Sequence, residues 1–270
     1  MSLADDFPEV DTRTASAARL YDYALGGTDN YQVDRQALTA VEDMMPGAFA
    51  EARSNRRFLE RAVRFLAADC GIRQFIDYGS GLPTQNNVHQ VAQDAVPSAR
   101  VVYVDNDPVV LRHQKVAGLL AADDSTAFIQ ADARNVEQIL SHPDTQRLID
   151  FGEPVGVLYL SFLHMVPDAD DPRQLVRQTM DRVAPGSYLA ISHASSRDPG
   201  TLREFSEFFR QSTGGKFGRF REPAEVDAFF EGLDVVPPGL GRVAGWRAEI
   251  PAELQDLRAF EYGGVACKPA

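Results

Sequence analysis

The stretch Phe75-Ile76-Asp77-Tyr78-Gly79-Ser80-Gly81-Leu82-Pro83-Thr84 joins an apolar run to two glycines separated by one residue. Glycine at such a point lets the backbone turn sharply and approach a ligand closely, and α/β folds bind ligands at the carboxyl edge of the sheet. A turn of this kind serves packing as readily as binding, so its company decides between the two. Val101-Val102-Tyr103-Val104-Asp105 is a second apolar run ending on an acid, one βαβ step further on. A carboxylate there can accept both hydrogen bonds of a ribose diol. Asp105 could instead cap the helix that follows, but Asp107, directly before Pro108, is better placed to do so. A nucleoside-bearing ligand is therefore expected. A dinucleotide turn would want a third glycine at position 84, where Thr84 stands, and has no particular need of an acid at Asp77.

Further chemistry-bearing residues follow along the chain. Phe128-Ile129-Gln130-Ala131-Asp132-Ala133 is a third run ending on an acid, and Asp132 can meet a ligand or cap a helix near Asn135. The fourth run, Val155 to His164, ends on Ser161 and His164. His164 or His193 could act as a base at neutral pH, while His164 fits a supporting role equally well. Arg56 and Arg57 open a helix, where one guanidinium fork could pair with a carboxylate ligand. Tyr21, Tyr23, Asn30 and Tyr31 surround Gly26-Gly27, forming either a lid that lines a pocket or a helical hairpin with tyrosines at the core boundary. His89, His113 and His142 lie on expected helices or loops. No two histidines show metal-ligand spacing, so no structural metal is expected.

The elements that position these residues alternate short β runs with helical stretches, the pattern of a parallel sheet covered on both faces. Expected strands are Gln74 to Tyr78, Arg100 to Asp105, Thr126 to Ala131, Val155 to Phe162, Ser187 to His193, Asp234 to Val236 and Tyr262 to Lys268. Asp107-Pro108, Asp171-Pro172 and Asp198-Pro199 each set an N-cap carboxylate before a proline at the first helical position. Leu59, Ala62, Val63 and Leu66 predict a helix from Asn55 to Asp69, with Gly71 as its C-cap, and another helix falls near Ala224 to Phe230. Residues 1–12 read as a loose acidic tail, residues 13–52 as an N-terminal helical lid broken at Gly26-Gly27 and Pro46-Gly47, and residues 53–270 as the α/β domain. With 44% hydrophobic residues the 270-residue chain has ample core material. A net charge of −12 disfavours a long nucleic-acid footprint. Cys70 and Cys267 are too few for a disulfide framework. No stretch approaches the roughly 18 apolar residues that span a bilayer, so a cytoplasmic protein without a membrane partner is expected.

Asp77 two residues before Gly79 resembles the first motif of S-adenosylmethionine-dependent methyltransferases. A closer resemblance rests on Arg19-Leu20-Tyr21-Asp22-Tyr23 with Leu25-Gly26-Gly27, Asp29-Asn30-Tyr31, and Ala52-Arg53-Ser54-Asn55-Arg56. It continues in Gly81-Leu82-Pro83-Thr84 with Asn87-Val88-His89, in Val104-Asp105-Asn106-Asp107-Pro108, and in Gly263-Gly264-Val265-Ala266 with Lys268-Pro269. Over nearly the whole chain these are similar to the S-adenosyl methyltransferase family, long catalogued as a domain of unknown function. The resemblance implies a Rossmann-like class I methyltransferase fold, a three-layer α/β sandwich. Its seven-stranded, mostly parallel sheet has one antiparallel strand, and an N-terminal helical extension precedes it.

The same resemblance implies S-adenosylmethionine (SAM) as cofactor and S-adenosylhomocysteine (SAH) as product. Asp77, Gly79, Gly81, Asp105, Asn106, Asp132, Ala133, Ser161 and Arg56 would then form the cofactor site. Asp77 would organise the loop and the ligand's ammonium, and Asp132 with the Ala133 amide would meet the adenine. His164, Tyr21 and Tyr31 would face the transferred methyl. The chain lacks an Asn/Asp-Pro-Pro-Tyr type motif, which with its acidity favours a small-molecule acceptor over nucleic acid. Two alternatives remain open at this level: an inactive SAM- or SAH-binding protein of the same fold, and a nicotinamide-dependent oxidoreductase, which Thr84 and the missing tyrosine-lysine pair disfavour.

Overall fold

The computed structural model describes residues 10–83, 86–110, 124–249 and 257–270. Strands β1 (Gln74–Tyr78), β2 (Arg100–Asp105), β3 (Thr126–Gln130), β4 (Gly156–Leu160) and β5 (Tyr188–Ser195) run parallel, in the order β3-β2-β1-β4-β5. The last long strand, β8 (Phe260–Cys267), lies antiparallel to β5 and carries the short strands β6 (Asp234–Val235) and β7 (Gly241–Arg242). Seven strands fall where the sequence places them, and β7 is an additional two-residue strand. The order in which strands are added reverses between the parallel neighbours β1 and β4, so their carboxyl ends flank the crevice where open α/β sheets bind ligands.

β1 and β4 are buried on both faces, as near-continuous apolar runs require. Ile76, Tyr78, Val102, Val104, Val157 and Tyr159 point to one face. There they pack under α5 (Val136–Leu140), α6 (Pro143–Leu148), α7 (Pro172–Arg182) and α9 (Pro223–Asp227), with α8 (Pro199–Ser212) following β5. Phe75, Val101, Tyr103, Leu158 and Leu160 point to the other, under α3 (Ala48–Arg64) and α4 (Val88–Ala95). By the same alternation, Asp77, one residue before the end of β1, and Asp105, the last residue of β2, lie on the α3 side. The proline-marked helix starts hold. Asp171 accepts the Gln174 N–H at 3.0 Å, Asp198 accepts that of Thr201 at 2.7 Å, and Asp107 accepts that of Val109 at 2.9 Å.

The N-terminal helices α1 (Ala17–Ala24) and α2 (Gln32–Met44) lie over the carboxyl end of the sheet. There Leu20, Ala24, Leu38, Val41 and Met45 share a third apolar cluster with Phe205, Phe217 and Phe220. Their path is set by buried polar groups rather than by helix propensity. Asp22 accepts the Asp29 N–H at 2.9 Å and the Asn30 amide at 2.8 Å, closing the turn, and a Cβ on Gly27 would sit 2.0 Å from that carboxylate. Arg19 and Asp34 form a fully buried pair at 2.8 Å. Asp34 also accepts the Ser16 and Tyr31 amides, and Arg19 donates to two carbonyls, so neither charge is left uncompensated.

α3 begins at Ala48, seven residues before the expected Asn55, and continues through a single π turn, Phe65–Asp69. Its buried face explains the difference. Phe58, Leu59, Ala62 and Val63 continue backwards at helical spacing as Asn55, Ser54 and Glu51, which are buried but polar. The apolar period stops where the helix leaves the core and starts to line a cavity.

Candidate active site

A cavity of about 820 Å³ opens at the carboxyl ends of β1, β2 and β4 under the N-terminal helices. Gly79 and Gly81 line it, both with positive φ, at +70° and +65°. The two glycines do different jobs. A Cβ on Gly79 would lie 2.1 Å from the Phe162 ring, so this glycine lets the turn pack against the end of β4, and its N–H donates to the Val104 carbonyl at 2.8 Å. A Cβ on Gly81 would meet nothing within 4 Å. Its missing side chain leaves open space in the cavity, the room a ligand needs against the backbone.

Asp105 ties the turn to the next loop. One carboxylate oxygen accepts the Gly81 N–H at 2.8 Å and the other the Asp107 N–H at 2.9 Å, leaving each oxygen further accepting capacity toward the cavity it lines. Burial pushes its carboxyl up to about 6, against the lowering effect of those amides. Asp107 caps the helix at Pro108 and takes the Ser16 hydroxyl. Asp77 is 6% exposed, and its carboxylate has no hydrogen-bond partner among the described residues. Burial raises it to about 7, with Arg56 opposing and Asp105 adding to the rise.

Of the arginine pair, Arg56 lines the cavity, while Arg57 is exposed and outside the lining. Arg56 donates to the Asn86 carbonyl at 3.1 Å and to the Asn87 side chain. Asn106 and Asp132 also line the cavity. The Asp132 carboxylate holds Arg134, which lowers its pKa, and the capping bond to Asn135 comes from the Asp132 carbonyl. Ala133 buries its methyl in the core and does not line the cavity. Thr84 and His113 lie outside the described residues.

Around the end of β4 the cavity has a wet wall. Ser161 takes the left-handed region, φ +51°, held by its N–H on the Ser192 carbonyl at 3.0 Å and hydroxyl at 2.9 Å. For a residue with a side chain this conformation is costly, and such outliers concentrate at functional sites. Asn55 donates to the Ser161 hydroxyl at 3.0 Å and to the Tyr21 phenol at 3.1 Å, and Ser161 donates to Glu261 at 2.6 Å. Burial pushes Tyr21 up to about 12, so it remains a neutral phenol at physiological pH.

Tyr31 lies apart from this wall. Its backbone caps α2, and its ring, 38% exposed, stacks against the Arg19 guanidinium, 5.1 Å from ring centroid to charge. His164 lines the cavity, but its Nδ1 accepts the Ala194 N–H at 3.2 Å, and its ring packs against His193, Phe217 and Phe220. Burial beside Arg221 drives its pKa down to about 3, so a proton taken there would not be held at neutral pH. His193 bridges Arg221 and the Ala194 carbonyl in the interior, with its pKa likewise well lowered by burial.

The site thus gathers Asp77, Gly79, Gly81, Asp105, Asn106, Asp132, Ser161, Arg56, Tyr21 and His164 on one cavity, and leaves Tyr31 and Ala133 outside its lining. Glu51, Asn55 and Glu261 also line the cavity, and strand-end reasoning signals none of them. The available signal for the first two was the polar continuation of the buried face of α3. Glu261 has none, since a single glutamate one residue into β8 carries no pattern.

A glycine turn after β1, acids at the carboxyl ends of β1 and β2 (penultimate and last residue), and a parallel sheet closed by one antiparallel strand define a class I methyltransferase. The comparisons carry this to the family. The model of the S-adenosyl methyltransferase family matches residues 4–269, and the chain belongs to that family. A candidate methyltransferase from Thermobifida fusca YX is 39% identical, covering 96% of this chain and 97% of its own, with a TM-score of 0.89. A DUF574 family protein from Streptomyces avermitilis MA-4680 is 37% identical, covering 97% and 100%, also at 0.89. The plantazolicin methyltransferase BamL, solved with SAH and a triazolic desmethylPZN analog, shares the fold at 11% identity and a TM-score of 0.53, covering 93% and 95%. Comparison with curated proteins finds no match.

Proposed function

We propose that this protein binds SAM on the Gly79–Gly81 turn and transfers its methyl group to a small molecule with an apolar, aromatic-compatible body. The observation that carries this reading is the continuity of the cavity. The surface that presents Gly81, Asp77 and Asp105 also presents Phe205, Phe209, Phe217 and Phe220, beneath Leu20 and Leu38 of the N-terminal helices. At about 820 Å³ it is near the upper end of the range of roughly 300–1,000 Å³ for small-molecule pockets, which suits a cofactor and an acceptor together.

The residues fit the cofactor in charge as well as shape. Asp105 would take the ribose hydroxyls through its remaining lone pairs. The Asp77 carboxylate, buried without a hydrogen bond among the described residues, suits a cationic partner whose approach would favour its ionised form. Arg56 suits the amino-acid carboxylate. When bound, the cofactor supplies an already activated methyl, so the chain is left to orient and to exclude water. The helices α1 and α2 exclude water by roofing the site, and Tyr21, Asn55 and Ser161 hold one wall in a single hydrogen-bonded geometry. His164 orients the backbone at Ala194 and is not the base.

Thermal-shift titrations with SAH and with NAD test the cofactor assignment, because only a ligand of the native state stabilises it, by about 2.7 kcal/mol at a hundredfold excess over Kd. Stabilisation by SAH and none by NAD is expected. The reverse would transfer the site to a nicotinamide cofactor.

A further inference from the structure

The wet wall beside Ser161 has a direction. Tyr21 donates its phenolic proton to the Ala52 carbonyl at 3.3 Å, Asn55 spends both amide protons on Tyr21 and Ser161, and Ser161 spends its hydroxyl proton on Glu261 Oε1. Every donor in this chain is used. Two acceptors are left over: Asn55 Oδ1 and Glu261 Oε2 are both buried and without a hydrogen-bond partner among the described residues. A buried acceptor without a donor costs of order 1–3 kcal/mol, more when charged, so a wall built with two of them is complementary to a ligand that brings donors.

Charge gives the ligand its sign. Glu51 uses one oxygen on the Glu261 N–H at 2.8 Å and the other on Arg242 at 3.4 Å. The Arg242 guanidinium thus answers the carboxylate of Glu51, and it lies against the Phe260 ring, 5.1 Å from the centroid. Glu261 receives one hydroxyl proton and no cation at ion-pairing distance among the described residues. Burial, with Glu51 nearby, pushes its carboxyl up to about 8, so at neutral pH the ligand-free protein holds it protonated and an arriving cation favours its ionised form. Glu261 and Asn55 line the same cavity as the aromatic wall.

We propose that Glu261, with Asn55, recognises an amine on the methyl acceptor and takes its proton. This rests on the SAM-dependent reading above and names the acceptor's nucleophile. An alkylammonium entering the cavity supplies the missing positive charge and presents N–H donors to Glu261 Oε2 and Asn55 Oδ1, which are covered in the ligand-free protein and meet it by a side-chain rotation. One proton passes from nitrogen to the Glu261 carboxylate, freeing a lone pair. That pair forms the N–C bond as the S–C bond breaks, with the S–C electrons staying on sulfur and the product leaving as a methylated ammonium. Charge balances at each stage, because the carboxylate is neutralised as the ammonium becomes an amine, and the sulfonium charge reappears on the product nitrogen. With Glu261 ionised, a carboxylate acceptor would meet two acceptors and a negative charge, and an alcohol would bring one donor for two sites.

Calorimetry on the SAH-saturated protein with benzylamine, benzyl alcohol and phenylacetate tests the assignment, each probe pairing an aromatic body with a different polar group. Benzylamine is expected to bind at least tenfold tighter than the other two, and Glu261→Gln, which keeps the shape and the Ser161 contact, is expected to remove that preference. Equal affinities across the probes, no benzylamine binding at millimolar concentration, or an undiminished preference in Glu261→Gln would each overturn the proposal. The wild-type series decides by itself if the variant does not fold. Failure of SAH to bind the wild-type protein would instead overturn the cofactor assignment.

Discussion

Replacing Asp77 by asparagine should make the ligand-free protein more stable while weakening its hold on the cofactor. The native state keeps a proton on Asp77 up to about pH 7, whereas the unfolded chain releases it near 3.8. Between those values the unfolded state binds fewer protons, so stability falls as pH rises through the window. A rise of about three pH units at 1.36 kcal/mol each sets a ceiling of about 4 kcal/mol, reached above pH 7. Asparagine keeps the shape and carries no such penalty. For a chain of this length, unfolding entropy of about 2.1 cal/mol/K per residue sums to roughly 0.57 kcal/mol/K, so the ceiling corresponds to a Tm gain of about 7 °C. Scanning calorimetry of both proteins from pH 4 to pH 8 checks this. Near-equal Tm values are expected at pH 4, with the variant gaining steadily to pH 8. Asp105 and Glu261 tilt both curves in the same direction, so the difference isolates Asp77. With SAH present the wild type should recover ground on the variant. Parallel curves, or a variant less stable at pH 8, would show the carboxylate already compensated in the free protein and refute the reasoning.

Two further outcomes follow from the geometry. Gly79→Ala forces a Cβ into the Phe162 ring and should destabilise the fold by more than about 2 kcal/mol. Gly81→Ala meets open space and should cost only about 1 kcal/mol of backbone strain in denaturant titrations while still weakening SAH binding strongly. Comparable stability losses at the two positions would remove the distinction between a packing glycine and a ligand glycine. Nitrogen-detected NMR should show the His164 ring neutral with its proton on Nε2 down to below pH 5, and a midpoint near 6.5 would restore it as a base.

The frame of the site was legible because strands buried on both faces leave few alternatives. The runs ending at Tyr78 and Asp105 stop at those residues in the structure, and the aspartate-proline pairs cap the helices they announce. The chemistry at the acceptor end was less legible, for two reasons. Residues that meet only in three dimensions, such as Asn55, Ser161 and Glu261, sit 106 and 100 positions apart and share no local pattern. Residue type also misleads where the surroundings reset it. Tyr31 belongs to the same signature as Tyr21, yet its backbone caps a helix while its ring faces outward under Arg19. The Tyr21 to Tyr31 run is largely a folding device, in which Asp22 and Asn30 close a turn, and of its three tyrosines Tyr21 alone lines the cavity.

The central claim, a nucleoside site organised by Asp105 at the end of β2, is tested most directly by calorimetric titration of SAH into the wild type and a folded Asp105→Ala variant. The account predicts one site per chain in the wild type and at least a tenfold loss in the variant, from missing charge-assisted ribose bonds and a Gly81 amide released from its partner. Equal affinity in the two proteins would contradict it.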